Sequence, residues 1–380
     1  MSLTGPWFFG LLVLVTAGAF GAAVYFWPRL AGRSPLSLLA RAGTLLGLNL
    51  AVLLTAAVAL NNQFTFFADW TDLAGALGRT QNVTTAHRGA TPADAAAAPL
   101  TGSLPTPSTM PAQPATSGLT QRILKYTVTG PLSGITAEVM VGLPAGYADA
   151  ANQNVRYPVL ETFHGYPGAV SQWLGSMDLG GAIDSAVAQH KMSDVVIVSP
   201  TIEVPAGRDT ECVNGNPGDP QVETWLTQDV PNWMAQTFRV RTDRSGWATI
   251  GLSAGAWCAA MATMLHPDRY SAGIVLGGYF TPSFLSYKPF GPNSPQFRRY
   301  DLIAAAQNSP PPVALWVQTS HSDPISYPSS SKLLAAARPP LSVTSVVLAH
   351  AGHRLSLWQD LLPQVFQWLG SNIHGFAPAH

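Results

Sequence analysis

Residues 247–265 limit what this chain can become more than any other stretch. They read Trp-Ala-Thr-Ile-Gly-Leu-Ser-Ala-Gly-Ala-Trp-Cys-Ala-Ala-Met-Ala-Thr-Met-Leu. The apolar start predicts a short buried strand, and the Ala-rich run after it predicts a helix. Between them lies Gly251-Leu252-Ser253-Ala254-Gly255. A serine on so sharp a strand-to-helix turn holds its hydroxyl above the carboxyl edge of a sheet. Flanking glycines leave room where a β-carbon would strike neighbouring backbone. The helix amino terminus sets positive dipole beside the hydroxyl, where an oxyanion would form. The five-residue pattern alone is common, and a tight turn in an inert protein would share it. The strand before it and the helix after it single out Ser253 as a candidate nucleophile.

Only 11% of the 380 residues are charged, against about 25% in an ordinary soluble domain. So low a share points to membrane segments or extended Ala/Pro/Thr-rich sequence, and the chain has both. Residues 6–27 form an unbroken apolar run, and residues 42–60 a second, interrupted only by Thr and Asn49. Each is about the 20 residues that span a hydrocarbon core as helix. Arg29, Arg33 and Arg41 lie between them with no acidic residue, which places that loop in the cytoplasm and both termini outside. A cleaved signal peptide would need a basic start, and residues 1–6 hold no Lys or Arg. Residues 61–77 follow, where Phe64, Phe66, Phe67 and Trp70 suit either an aromatic anchor at the headgroups or a plain helix extension.

Residues 80–119 are rich in Ala, Pro, Thr and Ser and predict a linker without a core of its own. The expected organisation is therefore a membrane anchor over 1–79, a linker over 80–119 and a catalytic domain over 120–375. In that domain, apolar runs at 123–128, 135–143, 158–163, 195–199, 248–251, 273–277, 313–317 and 343–348 predict strands. Helical stretches at 182–189, 222–237, 254–265, 302–308, 331–337 and 355–369 separate them. The first two strands pair antiparallel around Gly130-Pro131. The rest, alternating with helices, predict an α/β fold: a mostly parallel sheet with helices on both faces, preceded by two transmembrane helices. A net charge of zero gives no reason to expect a nucleic-acid partner. Neither Cys-x-x-Cys nor His-Glu-x-x-His occurs, so no metal or cofactor is expected.

A serine needs a base to take its proton and a carboxylate to orient that base. With an elbow serine, the chain order is Ser, then acid, then His. The acidic residues after Ser253 are Asp268, Asp301, Asp323 and Asp360. Asp323 lies just past the strand predicted at 313–317, where a triad acid projects. Asp268 reads as a turn residue, Asp301 as a helix start and Asp360 as part of the last helix. His353 follows a Gly and leads into that last helix, which makes it the expected base. His350 and His321 read as ordinary surface or hydrogen-bonded histidines. The oxyanion would take the N–H of Ala254 and one from the glycine-rich turn His164-Gly165-Tyr166-Pro167-Gly168, for which Tyr166 is the candidate. His164 reads as structural.

His164-Gly-Tyr-Pro-Gly168, the segment from Glu223 to Trp233, Gly251-Leu-Ser-Ala-Gly255, His266-Pro267, and Ala-Gly-His353 with Trp358 occur in that order. Together they resemble the esterase-D-type and secreted mycolyltransferase branch of the α/β-hydrolases over about residues 121–372. The resemblance implies the α/β-hydrolase fold and an extracytoplasmic serine enzyme working on acyl esters. It supports Ser253, Asp323 and His353 as triad, with Tyr166 and Ala254 at the oxyanion hole. The mycolyltransferases have Glu as the acid and a Trp close after the histidine, where this chain has Asp323 and Arg354-Leu355. Those departures favour hydrolysis of esters, lipid or aminoacyl-lipid esters included, over mycolyl transfer to envelope sugars or lipids. An inactive fold kept as an envelope binding module would have lost a triad member, and none is missing.

Cys212 and Cys258 are the only cysteines. Cys258 lies on the elbow helix. Cys212 lies in a loop after the strand ending near Ser199, a strand expected to run beside the elbow strand. An outward-facing domain permits a disulfide between them.

Overall fold

The computed structural model describes residues 2–76, 82–100, 122–284 and 287–378. The chain forms two compact units. One comprises Val83–Ser320, Pro324–Leu348 and Leu355–His380; the other comprises Met1–Asn82, His321–Asp323 and Ala349–Arg354.

The larger unit is built on one nine-stranded sheet. Its strands are β1 (Val83–Gly89), β2 (Ile123–Thr129), β3 (Thr136–Gly142), β4 (Val159–Phe163), β5 (Val196–Pro200), β6 (Trp247–Leu252), β7 (Ala272–Leu276), β8 (Ala314–Ser320) and β9 (Ser342–Leu348). Their spatial order is β1-β9-β8-β7-β6-β4-β5-β3-β2. The six strands β4 to β9 are parallel, while β3 pairs antiparallel with β5, β2 with β3, and β1 with β9. Every residue of β4 to β8 is buried, as a parallel sheet covered on both faces requires. Alternation along each strand feeds two cores. Phe163, Trp247, Val275 and Val317 join the elbow helix Ala254–Leu265 on one face. Leu160, Ile250, Ile274 and Trp316 join the last helix, Leu355–Asn372, on the other.

Two expectations are corrected. Residues 83–97 do not act as linker. The Thr/Val-rich start of that stretch pairs along the whole of β9, from Val83 opposite Leu348 to Gly89 opposite Ser342. It covers an edge that would otherwise offer unpaired backbone. Thr91 then caps a short helix, Pro92–Ala97, whose Ala95 and Ala96 are buried against the sheet. Small side chains looked too weak to form a core; here they pack because the sheet supplies the large ones. Of the other linker positions, 80–81 and 101–119 lie outside the described residues. The second correction concerns β5, which borders β4 and β3 instead of the elbow strand β6.

The smaller unit begins with the helices Pro6–Phe26 and Pro35–Phe64, both long and apolar enough to cross a membrane. Ser34 caps the second, and the Arg41 side chain donates to Leu30 and Gly32 carbonyls across the turn. Thr16 and Thr55 hydroxyls meet at 2.9 Å between the helices. Thr65, at φ 52°, ends the second helix. The Asn61 side chain then folds the chain back by bonding both the N–H and the carbonyl of Phe67, and a short helix, Trp70–Gly75, follows from an Asp69 cap.

Candidate active site

The elbow forms as its residues demand. The chain leaves β6 at Leu252, turns at Ser253 with φ 56° and ψ −123°, and enters the helix at Ala254. That backbone region is costly for a side-chain-bearing residue and is found where function holds it. Both glycines are obligatory: a β-carbon on Gly251 would lie 1.9 Å from the Gly255 carbonyl oxygen, and one on Gly255 would lie 2.2 Å from that of Phe163. Ser253 N–H is held by the Leu276 carbonyl at 2.9 Å, while its own carbonyl receives Ala256 N–H at 3.0 Å.

The turn after β4 lies against this elbow. A β-carbon on Gly165 would be 3.5 Å from that of Ser253. The turn is tied down by its own donors. Gly165 N–H bonds Gln172 Oε1 at 2.9 Å, and Gly168 N–H bonds Glu203 Oε1 at 2.8 Å. His164 is buried, with Nδ1 2.8 Å from the Gly165 carbonyl and Nε2 accepting Ile202 N–H at 3.4 Å. Burial disfavours its charged form. Pro167 has no N–H, so Tyr166 carries the remaining amide. Among the described residues, neither Tyr166 N–H nor Ala254 N–H meets a protein acceptor.

Cys212 and Cys258 form a disulfide, which pins the loop after β5 to the elbow helix. Two buried carboxylic acids brace the same region, and sequence reasoning missed both roles. Glu211 receives Tyr279 O–H at 2.5 Å and Ser283 N–H at 2.9 Å, and its carbonyl takes Trp257 Nε1–H at 2.7 Å. Burial, with Asp209 nearby, pushes its carboxyl up to about 8. Glu223 goes the other way. Burial opposes its charge, yet Arg299 and His266 outweigh that and bring it to about 2. Arg299 grips both carboxylate oxygens, and Tyr300 O–H donates at 2.6 Å.

In the smaller unit, His353 Nδ1 lies 3.2 Å from Asp323 Oδ2, with both side chains largely buried. Chain order puts Asp323 three residues after β8 and His353 five after β9. His350 instead pairs with Asp69 at 2.7 Å and stays half exposed. Asp301 caps the helix Leu302–Asn308, Asp268 sits in a turn and Asp360 lies on the last helix. The turn Ala349–Arg354 also involves Asp72, whose Oδ2 accepts Gly352 N–H at 2.6 Å and whose Oδ1 faces Arg354 at 2.7 Å. The available signal was slight: Asp69 and Asp72 are the first acidic residues in the chain and follow directly on an apolar span.

Residues 134–366 match the family model for Esterase, more than half of the chain. The chain belongs to the Esterase family. This esterase-family chain is 29% identical over 162 residues to an uncharacterised protein of Corynebacterium glutamicum, covering 40% of this chain and 37% of that one. It is 33% identical over 72 residues to the MPT51 antigen of Mycobacterium leprae, covering 19% and 23%. The chain thus spans well under half the length of these curated relatives. Among solved structures, a ferulic acid esterase is similar over 67% of this chain and 97% of its own, at 18% identity and a TM-score of 0.54. An S-formylglutathione hydrolase from Agrobacterium tumefaciens is similar over 66% and 95%, at 13% identity and a TM-score of 0.52. At such identities these likenesses establish the fold, which is that of the α/β-hydrolases. The chain has that fold, with two amino-terminal apolar helices.

Proposed function

We propose that this chain is a membrane-anchored serine esterase whose catalytic side faces out of the cytoplasm. The observation that carries the reading is Ser253 on its strained turn, beside the two uncommitted amides of Tyr166 and Ala254. Strain at a serine is retained where the hydroxyl must be presented. In the first step, Ser253 Oγ attacks the ester carbonyl while His353 takes its proton. The carbonyl π electrons move to oxygen, and the oxyanion accepts the N–H groups of Tyr166 and Ala254. The tetrahedral intermediate collapses, and His353 returns the proton to the departing alcohol. Water then repeats the sequence on the acyl-enzyme and releases the acid. Asp323, at 3.2 Å from Nδ1, orients the ring and stabilises its charge as the proton arrives. The two amino-terminal helices would act as anchor, with the arginine-bearing turn between them inside the cell.

A fluorophosphonate probe tests the chemistry. It should label the wild type at a single site, lose that label in Ser253→Ala and lose most of it in His353→Ala and Asp323→Asn. His350→Ala should label normally. Full labelling of Ser253→Ala would remove the serine from the mechanism.

A further inference from the structure

The turn that carries His353 is held by the segment leaving the second membrane-length helix. His353 N–H donates to the Thr65 carbonyl at 2.8 Å, one residue past that helix. Gly352 N–H donates to Asp72 Oδ2 at 2.6 Å, and the same oxygen takes Ala68 N–H at 3.0 Å. Arg354 Nη1 donates to Asp72 Oδ1 at 2.7 Å and to the Phe66 carbonyl at 3.3 Å, with its guanidinium 4.9 Å from the Phe67 ring centre. The fit is close: a β-carbon on Gly352 would lie 2.2 Å from the Phe66 carbonyl oxygen. Asp72 is wholly buried. A buried carboxylate is tolerated only when paired and hydrogen-bonded, and Asp72 spends those bonds on the residues either side of His353. A segment that served only as a tether would need none of them.

The depth of this contact follows from helix geometry. Beyond the apolar stretch 42–60, the five residues to Thr65 advance about 7 Å, roughly the thickness of one headgroup layer. Phe66 and Trp70 remain exposed here, as an aromatic belt requires. The backbone of His353 bonds Thr65 directly, so it shares that depth.

We propose that residues 65–72 are part of the catalytic apparatus, with Asp72 as a positioning residue for His353, and that the substrate is an ester borne by a lipid of the same membrane. This rests on His353 being the base. The ester linkages of a membrane lipid lie where the headgroup meets the hydrocarbon, within about one headgroup thickness of the level where this contact holds His353. A water-soluble ester would require no such placement.

The test uses the full chain in lipid nanodiscs, with p-nitrophenyl butyrate as the soluble ester and a fluorogenic diacyl phosphatidylglycerol as the lipid ester. Ser253→Ala and His353→Ala are measured first; activity in either would defeat the triad reading whatever Asp72 does. With those inactive, Asp72→Ala should lower kcat on the soluble ester by on the order of 100-fold, as a misplaced base does, with KM changed less than about twofold. Asp72→Asn should lose only about tenfold, because its amide oxygen still accepts Gly352 N–H. Hydrogen exchange should quicken at the Gly352 and His353 amides and stay unchanged in β6. Should Asp72→Ala not fold, Asp72→Asn carries the comparison alone. Wild-type kcat in the folded variants would overturn the positioning role. The lipid ester should turn over at least about tenfold faster in the enzyme's own disc than in separate discs; equal rates would overturn the substrate assignment.

Discussion

Glu161 sits in the middle of β4 with no exposure, and among the described residues only Tyr270 O–H, at 2.7 Å, donates to its carboxyl. Desolvation raises its carboxyl from 4.5 to about 8, more than the Tyr270 bond and Arg269 can offset. Below pH 4.5 both folded and unfolded chains hold the proton, so the group does not affect stability. Between about 4.5 and 8 only the unfolded chain releases it, and stability falls as pH rises. Glu161→Gln, which mimics the protonated acid, should therefore match wild type near pH 4.5 and melt several degrees higher at pH 8. Thermal melts of both proteins across that range check it, and parallel curves would mean that the carboxyl ionises in place. Glu211 titrates in the same direction but contributes equally to both proteins, so the difference isolates Glu161. Glu223 behaves oppositely, its stabilisation being lost as pH falls from 4.5 towards about 2.

The disulfide joins elements that the sheet order keeps apart. The loop after β5 must pass over β4 to reach the helix after β6, and Cys212–Cys258 fastens it there across a separation of 46 residues. Trp257 adds a hydrogen bond to the Glu211 carbonyl, and the Tyr279 ring lies parallel to the indole of Trp257 with centres 6.1 Å apart. Chain entropy for a loop of that length gives about 4 kcal/mol at most. Cys212→Ser with Cys258→Ser should lose about 2–4 kcal/mol in urea unfolding. It should also quicken exchange in the loop 203–221 before the sheet opens. A loss below about 0.5 kcal/mol would mean that the hydrogen bonds and ring packing hold the loop without the covalent bond. The expectation of a disulfide survived even though its premise, β5 beside β6, did not. A long loop can span one intervening strand.

At the scale of the whole molecule, the disulfide, the arginine-bearing turn and the two long helices bear on one question, which is orientation. Arg29 and Arg33 lie in the connection between the helices, and Arg41 lies near the start of the second, its side chain reaching back to that connection. A reporter active only in the cytoplasm should work when fused at Arg33 and fail when fused at His380. The unreduced protein should give a peptide pair joined through Cys212 and Cys258. Reporter activity at His380 would put the hydrolase inside the cell, where thiols are kept reduced.

Much of this architecture can be read locally. An apolar run such as 313–317 becomes β8, Ala314–Ser320, because a strand buried on both faces has nothing polar to show. The elbow is legible because only glycine fits on either side of Ser253. The pairing of Asp323 with His353 could be anticipated from chain order, since each follows a strand of the same parallel set. What tertiary structure decided are the features whose partners lie far along the chain. The Thr- and Ala-rich residues 83–97 have no core of their own, and they fold because β9 leaves an edge open and the sheet face leaves shallow space. Asp72 looks like a surface acid after a membrane helix. It becomes a buried ion-pair partner only when Arg354, 282 positions later, comes to meet it. Periodicity and turn chemistry act between near neighbours and are written in the sequence. Edge pairing and the burial of charge depend on what arrives from elsewhere, and only the folded chain determines that.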